Sequence, residues 1–197
     1  GLGKGILEGL AKEGCSIWAI IRKPSTEFDD FIYALNINYH VEIKPVYADL
    51  SSEDSIKDAY KKINAEKRSI DILINNAGIG HMGWLQLTKL QFIKDLYAVN
   101  VFAPMILSQL VLRNMARQNY GRIINVASTA ASEVYEGNSI YGSDKAALVA
   151  FTKSFAAEVF QYGVTVNAIA PGLINTDMSA VFEGNDPTEP IRHTALG

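Results

Sequence analysis

Residues 121–170 read GRIINVASTAASEVYEGNSIYGSDKAALVAFTKSFAAEVFQYGVTVNAIA, and this stretch decides the fold. Gly121 to Ser128 is an apolar run that predicts a strand. Tyr141 to Tyr162 is rich in Ala and patterned for a helix, Gly163 supplies its stop, and Val164 to Ala170 is the next strand. Working outward, Ile70 to Ile74 is a buried strand, and Thr88-Lys89-Leu90-Gln91 has the capping-box spacing that opens a long helix toward Asn119. Ser16 to Ile21 reads as a strand covered on both faces and ended by Arg22, Lys23 and Pro24. Helices are predicted over Ser25 to about Asn36 and over Ser51 to Lys67, capped by Ser51 or Ser52, with a strand from Val41 to Ala48 despite Pro45. Ile6, Leu7, Leu10 and Ala11 share one face of a short helix entered through Gly1 and Gly3 and ending near Gly14. Strand and helix alternate throughout, which predicts an α/β fold. The expected architecture is a parallel sheet with helices on both faces, in three layers, binding its ligand at the carboxyl ends of the strands.

The 197 residues are 48% apolar, enough for one well-packed core, so residues 1–197 are expected to form a single domain. A net charge of −3 with no basic block argues against nucleic acid as a partner. Cys15 is the one cysteine, so neither an internal disulfide nor a Cys-rich zinc site is available, and a cytoplasmic location is the default. Ile17 to Ile21 and Val99 to Leu107 fall short of the roughly 20 residues a membrane span needs, so no membrane association is expected. The chain opens without Met on Gly1-Leu2-Gly3, which reads as the middle of a glycine turn with residues expected upstream.

Gly1, Leu2 and Gly3 before a helix would let the backbone approach a pyrophosphate. About 20 residues on, where a carboxylate for a free ribose 2′-hydroxyl would stand, the chain has Ile21, Arg22 and Lys23. Those cations suit a 2′-phosphate; the alternative is a pair of solvated loop charges. Tyr141 and Lys145 are four apart on the predicted helix and share a face, and Ser128 ends the preceding strand. A hydroxyl, a phenol and an ammonium converging there would polarise a carbonyl and donate a proton.

With these residues in place, the sequence resembles the short-chain dehydrogenase/reductases over nearly its whole length. Asn75-Asn76-Ala77-Gly78 looks like the family's N-N-A-G motif, and Asn100 stands where its active-site Asn does. Ser128, Tyr141 and Lys145 match its Ser and Tyr-x-x-x-Lys set, and Pro171-Gly172 its nicotinamide-side P-G, followed by Ile174 and Thr176. Asp49, followed by Leu50, matches the acidic residue beside the adenine. The resemblance implies a Rossmann-type, doubly wound fold and an NADP cofactor, with NAD the alternative. It also implies hydride transfer between a ketone and a secondary alcohol. Tyr141 would be the general acid or base, its pKa lowered by Lys145 and the nicotinamide charge. Lys145 would also hold the nicotinamide ribose, Ser128 the substrate oxygen, and Asn100 a water linking Lys145 to solvent. The family's first strand and last helix and strand have no counterpart in these residues, and a polypeptide nearer 250 residues is expected.

His40, His81 and His193 lack metal-ligand spacing, so no metal is expected. Tyr135 is a candidate for the substrate pocket. His81, Met82 and Trp84 either line the substrate mouth or pack a surface loop, and residues 173–194, with Met178 and Phe182, have the composition of a flap. The pattern is nearest to the 3-oxoacyl-acyl-carrier-protein reductases, but Asn119 and Tyr162 stand where those enzymes carry docking arginines. A small ketone, polyol or sugar is therefore the expected substrate, with the carrier-linked ketone as the alternative. A catalytically idle dinucleotide-binding sensor or scaffold is the reading from outside the enzymes. A homodimer or homotetramer is implied, with Leu90 to Asn119 and Tyr141 to Tyr162 as its interface.

Overall fold

The structure, a computed structural model, describes residues 1–174, and the chain divides into two compact units, the first being Gly1–Arg68 and the second beginning at Ser69. The first unit runs α1 (Leu2–Lys12), β1 (Ile17–Ile21), α2 (Thr26–Tyr39), β2 (Ile43–Tyr47) and α3 (Glu53–Ala65). β1 and β2 pair in parallel, with Ile17 opposite Ile43 and Ile21 opposite Tyr47. Ser25 caps α2 by accepting from the Phe28 N–H, and Ser52 caps α3 by accepting from Ser55. α2 outruns the expected end at Asn36 by three residues. It stops only where His40 takes a left-handed conformation, while the Asn36 side chain bonds both the N–H and the carbonyl of Ile43 at the start of β2. Pro45 is accommodated because β2 has only β1 beside it among the described strands, an edge position that needs no second ladder. The core of this unit is Ala11, Ala19, Ile32, Leu35 and Ile43.

The second unit runs β3 (Ile72–Asn75), α4 (Leu90–Tyr97), α5 (Ala103–Gln118), β4 (Gly121–Val126), α6 (Ser139–Val159) and β5 (Val164–Ile169). Its three strands pair in parallel in the order β3-β4-β5. Asn75 lies in register with Asn125, and the two side chains hydrogen-bond at 2.8 Å inside the sheet. Asn125 in turn donates to Thr152 of α6 at 2.8 Å, and Thr152 to the Leu148 carbonyl at 2.8 Å. A one-residue slip of β3 would unpair this buried chain, so it fixes register as well as satisfying its own polar atoms. Parallel strands flanked by helices make this a Rossmann-type α/β fold, as the alternation predicted.

Two local expectations are corrected. The capping box at Thr88 does not form, because its hydroxyl donates to the Trp84 carbonyl and faces His81; Lys89 is the N-cap instead, with no side-chain cap bond. The long helix toward Asn119 is also not uniform: a π-helical turn, Ala98–Phe102, separates α4 from α5, and Pro104 sits in the first turn of α5. The full helical stretch Leu90–Gln118 spans 29 residues and is long and apolar enough to cross a membrane by length and composition, more than the run from Val99 to Leu107 implied. Here Ala103, Leu107, Val111 and Met115 are buried, as in a core helix, and α5 packs on β3 and β4.

Candidate active site

β4 and α6 bring three of the expected site residues together. Ser128 follows β4 and begins a 3₁₀ turn, its hydroxyl accepting from the Ala130 N–H. The start of α6 is pressed against that turn: Asn138 donates to the carbonyls of Ala130 and Glu133, and a Cβ on Gly142 would lie 2.7 Å from the Asn138 amide nitrogen and 2.8 Å from the Ala130 oxygen. Only glycine permits this approach, which sets Tyr141 where its phenol hydrogen-bonds the Ser128 hydroxyl. One turn along, the Lys145 Nζ lies 5.6 Å from the centre of the Tyr141 ring and donates to the Val126 carbonyl at 3.1 Å.

Asn100 reaches the same place through the π-helical turn. Its Oδ1 accepts from the Ile79 N–H at 2.8 Å, and its Nδ2 donates to the Ile79 carbonyl at 2.9 Å and to Asp144 Oδ2 at 3.1 Å. The side chain thus fastens the segment after β3. A Cβ on Gly78 would fall 3.3 Å from Asn100 Oδ1 and 3.6 Å from Lys145 Nζ, so glycine here leaves open a space lined by both. Asn76 is half-buried and Ala77 exposed in the same segment. Pro171 accepts from the Thr129 N–H at 2.9 Å, which brings Pro171-Gly172 beside the Ser128 turn, and Ile174 is exposed just beyond. Thr176, and the flap residues Met178 and Phe182 with it, lie outside the described residues, as does His193.

Burial pushes the Tyr141 phenol up to about 12, and the Asp144 charge adds to this while the Ser128 hydrogen bond opposes it. The protein's own groups therefore hold Tyr141 as a phenol. Lys145 is buried and its pKa is lowered by desolvation, with Asp144 acting against that shift. Asp144 itself is fully buried, and desolvation raises its carboxyl to about 7 in spite of Asn100 and Lys145. Sequence reasoning missed Asp144. Its signal was an acid standing immediately before a lysine in an otherwise apolar, small-residue helix. Tyr135 is 41% exposed and close enough to raise the Tyr141 pKa, in keeping with a rim position. His81 packs on Phe92 at 4.9 Å, which favours loop packing over a substrate contact. Among the described residues no cluster of His, Cys, Asp or Glu could hold a metal.

In the first unit, Gly1 is the N-cap of α1, with Leu2 and Gly3 in its opening turn, and no side chain caps that end. Arg22 follows β1 and lies 3.7 Å from Asp49, which follows β2. Asp49 Oδ1 also accepts from the N–H and hydroxyl of Ser51; those bonds, with Arg22 adding to them, hold its carboxyl below the usual range. Leu50 is half-buried next to it.

Comparison with known proteins shows the family. The family described as short chain dehydrogenase matches residues 1–186. Carbonyl reductase family member 4 of Xenopus tropicalis is 32% identical over 191 residues, covering 97% of this chain and 78% of that protein. A 3-oxoacyl-acyl-carrier-protein reductase of Aquifex aeolicus is 38% identical over 184 residues, covering 92% of this chain and 73% of its own. Among solved structures, the L-sorbose reductase of Gluconobacter frateurii, complexed with NADPH and L-sorbose, superposes with a TM-score of 0.84 at 28% identity, covering 91% of this chain and 67% of that one.

Proposed function

The chain belongs to the short-chain dehydrogenase family of NAD(P)-dependent oxidoreductases, and from that premise we propose that it interconverts a ketone and a secondary alcohol with NADP(H). The observation that carries this reading is the Ser128–Tyr141 hydrogen bond with the Lys145 ammonium beside the phenol ring. Tyr141, a phenol across the neutral range, suits the proton-donating role in ketone reduction, and Ser128 would hold the carbonyl oxygen that receives the proton. When bound, the dinucleotide supplies the hydride. In the second unit the space beside Gly78, with Asn76, Ala77, Pro171, Gly172 and Ile174, fits its nicotinamide end, and Lys145 would hold the ribose. In the first unit Gly1, Leu2, Gly3, Asp49 and Leu50 would meet the adenosine and its phosphates. Arg22 there would take the 2′-phosphate that distinguishes NADP.

A small ketone, polyol or sugar is favoured over an acyl-carrier substrate. Asn119 and Tyr162 are uncharged, and Arg122 is spent on the carbonyls of Gly121 and Gly163 and on the Tyr120 ring at 4.3 Å. An acidic carrier would find little attraction there. The identity to acyl-carrier-protein reductases keeps the carrier-linked ketone as the second reading. A cytoplasmic homodimer or homotetramer accompanies the proposal; Phe102, inside the first of its expected helices, and Phe160, near the end of the second, are large exposed apolar groups. The test is NADPH oxidation with a panel of ketones and acyl thioesters, run on the wild type and Tyr141→Phe. Ketone turnover that falls at least 10²-fold in the variant, with dinucleotide binding retained, supports the reading. Binding without turnover of any carbonyl would favour the idle sensor.

A further inference from the structure

We propose that Asp144 is a positioning residue for Lys145 and Asn100: a buried carboxylate that orients the Asn100 amide and supplies the counter-charge for the Lys145 ammonium. The inference deepens the oxidoreductase reading and rests on it for its catalytic consequence.

Asp144 has no exposed surface, and isolated buried carboxylates are strongly disfavoured, so this one needs a reason to be there. Its Oδ2 accepts from Asn100 at 3.1 Å, while its Oδ1 is buried with no hydrogen-bond partner. The groups facing it are Lys145 and Tyr141 on its own helix and Asn100 from the π-helical turn; Tyr97 of α4 is engaged next door with Ser143 at 2.9 Å. An acceptor at Oδ2 reinforces the orientation that the two Ile79 bonds give the Asn100 amide: nitrogen toward Asp144 and the Ile79 carbonyl, oxygen toward the Ile79 N–H. The alternative orientation would set two oxygens against each other. Asp144 thereby holds the segment from Gly78 to Ile79 beside Lys145.

The charge has a second effect. With Asp144 ionised, its charge favours the protonated Lys145 through space rather than by a direct ion pair, and the same negative charge acts on Tyr141 against the phenolate. Removing it would weaken the hold on the ammonium and release Tyr141 toward the phenolate.

The test uses Asp144→Asn, whose carbonyl can still accept from Asn100, with Asp144→Ser as a second variant should the first fail to fold. In protein labelled with ¹³C at lysine Cε, the Lys145 resonance is identified by its loss in Lys145→Arg and titrated in wild type and variant. The Lys145 pKa is expected to fall by about one pH unit in the variant, a tenfold weaker hold on the proton. In parallel, the pH limb of alcohol oxidation that reports Tyr141 is expected to move about one unit toward lower pH. An unchanged Lys145 titration overturns the proposal whether or not any alcohol is turned over. Failure to find any turnover, with the lysine shifted as expected, would sink the oxidoreductase reading and leave the role of Asp144 standing.

Discussion

The Lys145 ammonium donates to the carbonyl of Val126 at 3.1 Å, so the helix that carries the lysine is fastened to the strand that leads into Ser128. One buried side chain both belongs to the proposed reaction and holds two elements in place. Lys145→Met would leave the Val126 carbonyl buried without a donor, at a cost of about 1–3 kcal/mol. A fall of several degrees in melting temperature is expected on top of the loss of turnover. A variant as stable as the wild type would show the bond to be idle.

Two glycine replacements should have opposite signs. Gly142→Ala drives a methyl into the Asn138 amide and the Ala130 carbonyl and should destabilise by about 1–3 kcal/mol. Gly9→Ala, within α1 and with nothing near its would-be Cβ, should stabilise by up to about 1 kcal/mol. Denaturant unfolding of both variants measures the difference; equal effects would contradict the close approach at the head of α6.

Arg22 is predicted to decide between NADPH and NADH. Nicotinamide fluorescence titration should show NADPH bound at least tenfold more tightly, a difference largely lost in Arg22→Ala. Because Asp49 lies against the guanidinium, Asp49→Asn should free it and strengthen NADPH binding further. Equal affinities in the wild type would mean that the ion pair with Asp49 is all that Arg22 does.

Stability should carry the signature of Asp144. Its carboxyl is raised from 3.8 to about 7, so between those values the native state keeps a proton that the unfolded chain has lost. This contribution is fully present below about pH 4 and disappears as the pH rises through 7, with an upper size on the order of 4 kcal/mol. Melting temperature should therefore fall from pH 5 to pH 8 more steeply in the wild type than in Asp144→Asn. Parallel curves would show that the carboxyl titrates normally.

The sequence disclosed most of this through periodicity and through residues whose chemistry is costly to place by chance. Strand and helix alternation predicted the parallel pairing, and β5 and the stop at Gly163 came out within a residue or so, since glycine takes the left-handed conformation there. Ser128, Tyr141, Lys145 and Asn100 could be named before any coordinates because they stand on recognisable motifs. Hidden from the sequence were features that depend on competition for a hydrogen bond or on packing between distant elements. Thr88 had the right spacing for a cap, but its hydroxyl was taken by Trp84. Asp144 carried no reading because nothing in its spacing tells that α6 turns it inward against Asn100, and the Tyr141 pKa depends on burial that no spacing reveals.

The π-helical turn at Ala98–Phe102 acts as a phase shifter between two helices. An α-helix advances about 100° per residue, so the wider turn resets the angle at which α5 leaves α4. Each helix can then point its own apolar stripe where it is needed, and Asn100 sits at the point of adjustment. A π turn holds one residue more than an α turn, so deleting a single residue there would restore a uniform spiral with α4 and α5 still pointing as they do, and Asn100 would lose the widened turn that presents it.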